Sequence, residues 1–234
     1  FFGIKPLHYA LTNGHLVYAS EIKSILQFPK IEKRLNKRAL DKYLSFQYSV
    51  PPETFFEGIY CLLPGHYSWY RGGKLEITRY FEPDKALTLD EAVQKIETVF
   101  ENSVNAHKTS DVEVGCFLSS GVDSSYISSY FARQKAFTVG FGEDEKYNEI
   151  GFAKRFAQEM GLNHHSRGIS AADFWASIPL VQYMLDQPLA DPSCVALFFV
   201  SKLASENGVT VVLSGEGADE LFGGYNIYHE PLSL

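Results

Sequence analysis

Beyond residue 85 the chain repeats one alternation that leaves few folds open: a short apolar run, a turn, then a stretch with helical periodicity. Residues 112–118, 136–141 and 209–213 read as strands, and residues 124–131, 149–160 and 195–206 as helices. Residues 164–169 read as a further strand. Strands that are apolar along their whole length must be covered on both faces, and helices between them supply the crossovers, so the pattern implies βαβ units around a buried parallel sheet. The opening of this region is marked by Thr88-Leu89-Asp90-Glu91, the spacing of a capping box, followed by Val93, Ile96 and Phe100 at helical intervals. The pattern changes at Phe81-Glu82-Pro83-Asp84, which places a domain boundary near residue 85 and divides the chain into residues 1–84 and 85–234.

The first region is organised differently. Asn13-Gly14 stands between apolar runs and signals a hairpin, because both residues tolerate positive φ. A second hairpin is expected across Arg71-Gly72-Gly73, with helices over residues 21–28 and 35–48 between the two.

Composition excludes several classes of function. The net charge is −7, with 21 Lys and Arg against 28 Asp and Glu and no basic stripe, so a small molecule rather than nucleic acid is the expected partner. No run reaches the ~18 apolar residues of a membrane span and no signal-peptide pattern opens the chain, which gives a cytoplasmic expectation. Cys61, Cys116 and Cys194 are far apart and have apolar neighbours, so buried reduced thiols are expected. The chain opens on Phe1-Phe2-Gly3 without an initiator Met and closes on Glu230-Pro231-Leu232 directly after a motif, which reads as a fragment. His164 and His165 are adjacent on a strand and face opposite sides, so they form no shared metal site. Lys5 before Pro6 reads as a structural lysine.

Two loops carry the chemistry. In Cys116-Phe117-Leu118-Ser119-Ser120-Gly121-Val122-Asp123-Ser124-Ser125 an apolar strand runs through small residues into a helix. Small residues let the backbone approach an anion, and successive N–H groups with the positive end of a helix then face it. The GxxxxGK[ST] pattern of a Walker A loop is absent. The plain alternative is an ordinary strand-to-helix turn capped by Asp123. In Val211-Val212-Leu213-Ser214-Gly215-Glu216-Gly217-Ala218-Asp219-Glu220-Leu221-Phe222-Gly223-Gly224-Tyr225 a strand again meets a glycine-rich turn, now followed by carboxylates. Acids beside a phosphate loop make sense when they share a divalent cation with the nucleotide. The plain alternative is a solvated acidic helix start. Both loops follow strand ends, where open α/β sheets build their sites.

Ser119-Ser120-Gly121-Val122-Asp123-Ser124 resembles the PP-loop of ATP pyrophosphatases, usually SGGxDS, with Ser120 in place of the usual glycine. Residues 213–225 resemble the LSGxGxDExFGGY signature of glutamine-hydrolysing asparagine synthetases, which other PP-loop enzymes lack. Asp186-Gln187-Pro188-Leu189-Ala190-Asp191-Pro192-Ser193, Phe137-Thr138-Val139-Gly140-Phe141, Gly3-Ile4-Lys5-Pro6-Leu7-His8-Tyr9 and Tyr18-Ala19-Ser20-Glu21-Ile22-Lys23 are similar to the same family, so the likeness covers nearly the whole chain. It implies a doubly wound parallel α/β sheet of the PP-loop ATP-pyrophosphatase kind. Before it would stand the C-terminal part of an αββα N-terminal-nucleophile glutaminase domain.

The implied activity is ATP-dependent conversion of aspartate to asparagine through β-aspartyl-AMP, with glutamine or ammonia as nitrogen donor and Mg²⁺ as cofactor. Ser119, Ser120, Gly121, Ser124 and Ser125 would hold pyrophosphate, while Leu118, Val139, Ser214 and Gly215 would contact adenosine. Asp123, also in the ATP site, and Asp219 would hold the metal, and Glu216 would be the base for ammonia. The family's nucleophilic cysteine has no counterpart among Cys61, Cys116 and Cys194, so glutamine hydrolysis by this chain is not expected. Some members carry an arginine in the loop matching residues 190–193. Its absence here keeps a related amide-forming or β-lactam synthetase acting on another carboxylate as an alternative, beside a non-catalytic nucleotide-binding remnant. A homodimer of the full-length protein is left open.

Overall fold

The computed structural model describes residues 1–82, 87–142 and 148–228. They form two compact units, Phe1–Ala86 with Ile178–Cys194, and Leu87–Ser177 with Val195–Leu234. Pro83, Asp84 and the boundary expected near residue 85 lie outside the described residues, as do Glu230, Pro231 and Leu232.

In the first unit β1 (His8–Thr12) and β2 (His15–Ala19) form the expected hairpin. Asn13 and Gly14 both take positive φ, 48° and 77°, which gives a two-residue turn whose twist matches that of the strands. The expected helices are shorter than read: α1 is Ile22–Ile25 and α2 is Lys37–Phe46. Leu35 is taken instead by an antiparallel bridge to Phe56, and Asn36 caps α2 by accepting from the N–H groups of Arg38 and Ala39. Gln47 closes α2 in the left-handed conformation. β3 (Ile59–Cys61) adds to the free side of β1. β4 (His66–Arg71) and β5 (Lys74–Arg79) form a separate hairpin turning on Gly72 and Gly73, with Arg71 inside the strand. Ala10, Ile22, Ile25 and Ile59 make the core of this unit.

The second unit begins with α3 (Leu89–His107), whose Thr88 and Glu91 make the expected capping box, at 3.4 Å and 3.0 Å. There follow β6 (Val114–Phe117), α4 (Val122–Ser128), β7 (Lys135–Phe141), α5 (Ile150–Met160) and β8 (Asn163–Ile169). The chain then runs through α6 (Ala171–Leu185), α7 (Ser193–Glu206), β9 (Val211–Leu213) and α8 (Ala218–Phe222). The four strands are parallel in the order β8-β7-β6-β9. One cluster packs Cys116, Leu118 and Ala136 against Ile127 of α4 and Ala153 and Ala157 of α5. A second packs Phe137 and Val209 against Val200 and Ala204 of α7. The sheet is thus covered on both faces, as an apolar parallel sheet requires.

α6 is the element the sequence reading lacks. Its start is fixed by a reciprocal pair in which the Asp173 N–H donates to Ser170 Oγ at 3.1 Å and Ser170 N–H donates to the Asp173 carboxylate at 3.1 Å. The interior Pro179 interrupts the signal of a continuous helix.

Three buried thiols were expected, but only Cys116 is buried; Cys61 and Cys194 are half-buried. Cys116 lies in the central strand and the other two lie near element ends. Burial pushes the Cys116 thiol up to about 11, while the Ser128 hydroxyl hydrogen-bonded to it acts in the opposite direction.

Residues 178–194 belong to the first unit through specific contacts. Asp186, left-handed just past α6, accepts from the N–H groups of Ile22 and Lys23 at 2.6 and 3.2 Å and pairs with Lys23 Nζ at 3.0 Å. α1 has no side-chain cap from Glu21, so Asp186 supplies one from 164 residues away. Gln187 accepts from Phe55 N–H, and Ala190 N–H donates to the Gln47 carbonyl.

Candidate functional site

The strand order reverses between β6 and β9, since β7 and β8 run outward on one side of β6 and β9 joins on the other. At such a reversal the loops leaving the two adjacent strands diverge and open a crevice at their carboxyl ends. The two loops read from the sequence are the ones that leave β6 and β9.

The first loop is internally cross-linked. Ser119 N–H donates to Ser124 Oγ at 3.1 Å, the two hydroxyls meet at 2.7 Å, and Gly121 N–H donates to Ser119 Oγ at 3.1 Å. Ser124 and Ser125 hydroxyls both donate to the Gly121 carbonyl, at 3.1 and 2.9 Å. Gly121, not Asp123, occupies the cap position of α4, so Asp123 is not the helix cap that the plain reading of this turn requires. Asp123 stands in the first helical turn, and among the described residues its carboxylate has neither a hydrogen bond nor an ion pair.

The second loop packs directly on the first. A Cβ at Gly215 would stand 2.9 Å from Asp123 Cβ and 3.1 Å from Ser124 N, so only a glycine permits this approach. Gly217 takes φ 91° and starts α8, and Asp219 follows with its carboxylate lying over the Gly224 backbone, where a Cβ would collide with it. The carbonyl of Asp219 accepts from the N–H groups of Gly223 and Gly224, which closes the turn. Among the described residues the Asp219 and Glu216 carboxylates have no hydrogen bond or ion pair, and Glu216 is exposed. Burial raises the Tyr225 hydroxyl above its ordinary range, and the negative field of Glu220, Asp219 and Glu216 adds to this. Tyr225 also donates to Glu220 at 3.2 Å. Glu220, Asp219 and Glu216 thus all act on Tyr225, and among the described residues none of the three has an ion pair.

The donor set suits a divalent ion shared with a nucleotide. Mg²⁺ is commonly held by one or two carboxylates together with substrate phosphates and water. Asp123 and Asp219 are two uncompensated carboxylates on loops that touch at Gly215. No group of three or more His, Cys, Asp or Glu with metal-site geometry occurs among the described residues.

The remaining predicted residues differ in what they present. Leu118 is 2% exposed, with its N–H bonded to the Phe137 carbonyl and its carbonyl accepting from Thr138 Oγ1 at 2.7 Å. Its side chain faces the core. Val139 is half-buried and packs beside Phe137 and Val200, while Ser214 and Gly215 are half-exposed at the loop entrance. His164 and His165 face opposite sides of β8 as expected. His164 Nε2 bonds Thr138 Oγ1 at 2.8 Å, and His165 stacks on Phe137 with ring centroids 5.5 Å apart. Burial lowers the His164 basicity, and the charges of His165 and Lys154 add to the effect. Because Thr138 Oγ1 donates to Leu118, it accepts from His164, and this buried chain of bonds holds the end of β6 in place.

Glu149 was not picked out from the sequence, yet it touches the loop. Its carboxylate accepts from Ser120 Oγ at 3.0 Å and from Ser120 N–H at 3.4 Å. The one signal for it is its place at the start of a helix that follows a strand of the same sheet.

Comparison with known proteins covers both halves of the chain. The family model described as asparagine synthase matches residues 95–234, and the glutamine amidotransferase domain matches residues 1–81. The chain is 41% identical to glutamine-hydrolyzing asparagine synthetase 1 of Bacillus subtilis over 241 residues, covering all of this chain and 38% of that protein. It is 43% identical over 248 residues to a putative asparagine synthetase of Mycobacterium bovis, again across all of this chain and 38% of the relative. Amidase chyE of Penicillium rubens is 28% identical across 99% of this chain and 38% of its own length. The chain therefore spans somewhat over a third of the length of these relatives.

Proposed function

This chain belongs to the asparagine synthase family, and from that premise we propose that it carries the ATP-cleaving site of an enzyme that converts aspartate to asparagine through β-aspartyl-AMP. The observation that carries the reading is the contact of Gly215 with Asp123 and Ser124. It joins a hydroxyl-rich phosphate loop to an uncompensated acidic loop at the point where the strand order reverses.

The chemistry needs such a junction. A carboxylate resists attack by ammonia because it is anionic, and attack of its oxygen on the α-phosphorus of ATP expels pyrophosphate and leaves a mixed anhydride with AMP as leaving group. Ser119, Ser120, Gly121, Ser124 and Ser125 orient the departing pyrophosphate, for which the hydroxyls turn away from the Gly121 carbonyl. Val139, Ser214 and Gly215 border adenosine, and Leu118 contributes through the backbone rather than its buried side chain. Asp123 and Asp219 would hold Mg²⁺, which would offset the charge developing on pyrophosphate. Ammonia, delivered from glutamine or from solution, then attacks the activated carbonyl, AMP departs, and Glu216 takes the proton. Water must be kept from the anhydride, which it would hydrolyse. We place the division between glutaminase-like and synthetase-like parts near residue 85, within residues 82–94 that neither family match covers.

A second reading has its own support. The absence of an arginine from residues 190–193 favours a relative that activates a different carboxylate. Both readings share the nucleotide site. Calorimetric titration of the folded protein with ATP and Mg²⁺ tests it: saturable Mg²⁺-dependent binding is expected, and no binding at millimolar ATP refutes the site.

A further inference from the structure

Resting on the reading of residues 119–125 as a polyphosphate loop, we propose that Glu149 is a built-in occupant of that loop, a carboxylate that the nucleotide must displace from Ser120. Its two oxygens take the Ser120 hydroxyl and the Ser120 N–H, at 3.0 and 3.4 Å, as two oxygens of a phosphate would. Among the described residues Glu149 has no ion pair, so this contact is its polar anchor.

The placement is constructed rather than incidental. Asn148 Nδ2 donates to the Gly142 carbonyl at 3.1 Å, and Asn148 Oδ1 accepts from Ile150 N–H at 3.2 Å. Asn148 enters against β7 only because residue 140 is glycine, whose Cβ would otherwise fall on its side chain. The Glu149 carbonyl accepts the first helical bond of α5, from Ala153 N–H at 3.0 Å. Both neighbours of Glu149 are therefore pinned, and its side chain is held within reach of the loop.

A carboxylate and a polyphosphate cannot share the same donors. In the absence of nucleotide the Glu149 carboxylate occupies the Ser120 N–H and hydroxyl. Entry of a weakly held anion requires its displacement without sufficient return, whereas a Mg²⁺-bound polyphosphate supplies more charge and more acceptors. The shorter of the two bonds depends on the Ser120 hydroxyl, which stands where similar loops usually have glycine. The latch is thus tied to this chain's own departure from the pattern.

The test is calorimetric titration of the intact protein and its variants with inorganic pyrophosphate in Mg²⁺, with folding checked by circular dichroism. Removing a hydrogen-bonded competing charge in Glu149→Ala should tighten pyrophosphate binding about tenfold, with Glu149→Gln between parent and alanine variant. In a Ser120→Gly background the gain from Glu149→Ala should shrink to less than about threefold, because the two residues act as one unit. Equal or weaker binding by Glu149→Ala, while the parent binds, overturns the proposal, and weaker binding makes Glu149 a ligand-holding group instead. An equal gain in both backgrounds also overturns it, since the effect is then a general field. If neither parent nor variants bind pyrophosphate or ATP, the nucleotide reading fails first and takes this proposal with it.

Discussion

Glu216 is the residue whose surroundings and proposed role can be separated most cleanly. It lies in the turn between Ser214-Gly215 and Asp219, is exposed, and has no hydrogen bond among the described residues. Glu216→Gln keeps the shape of the side chain and removes the base. In the full-length protein this variant should still release pyrophosphate when given aspartate and ATP, while amide formation falls about 10²- to 10⁴-fold. Parallel measurement of pyrophosphate and asparagine reads the two steps apart. If both fall together to one residual level, Glu216 serves adenylation or loop folding instead. At this scale the sequence was informative about residue types but silent about partners. The serines were visible as a small-residue loop, yet their spending of hydroxyls on Gly121 follows from three-dimensional closure that spacing does not encode. Glu149 was invisible for the same reason, since its partner Ser120 is 29 positions away.

At the scale of elements, the site is the meeting of two strand-to-helix turns, and Gly215 is the point of contact. A methyl group there would press on Asp123 Cβ and the Ser124 amide, one of which is backbone and cannot yield cheaply. Gly215→Ala should cost about 1–3 kcal/mol by overpacking. It should also abolish ATP binding in the protein that remains folded, a loss larger than the stability change explains. Denaturant unfolding and calorimetry on the same sample check this, and an alanine variant with unchanged ATP affinity would dissociate the two loops functionally. β6 and β7 were legible because their burial on both faces writes largely apolar runs, and α3 because its capping box is local, whereas β8 is polar along most of its length. α6 was not legible: its start depends on an Ser170–Asp173 exchange and its interior holds Pro179, so the local signals conflict. The shortening of the helix expected over residues 35–48 has a tertiary cause, the bridge from Leu35 to Phe56.

For the molecule as a whole, contacts distant in sequence decide what local patterns leave open. Asp186 caps α1 from 164 residues away, so residues 178–194 belong with the first unit although in sequence they lie between β8 and β9 of the second. No periodicity in either segment announces that pairing. The strand order β8-β7-β6-β9 is likewise a property of the whole sheet, and it alone makes the ends of β6 and β9 neighbours. The central claim is that this crevice joins AMP to a carboxylate. The most direct measurement is exchange of labelled pyrophosphate into ATP by the full-length protein without a nitrogen donor, with and without aspartate. Mg²⁺-dependent exchange that requires aspartate, and that is lost in Asp123→Asn and Asp219→Asn, is expected. Exchange absent with aspartate but present with another carboxylate would move the protein to the alternative substrate, whereas ATP binding with no exchange for any carboxylate would contradict adenylation itself.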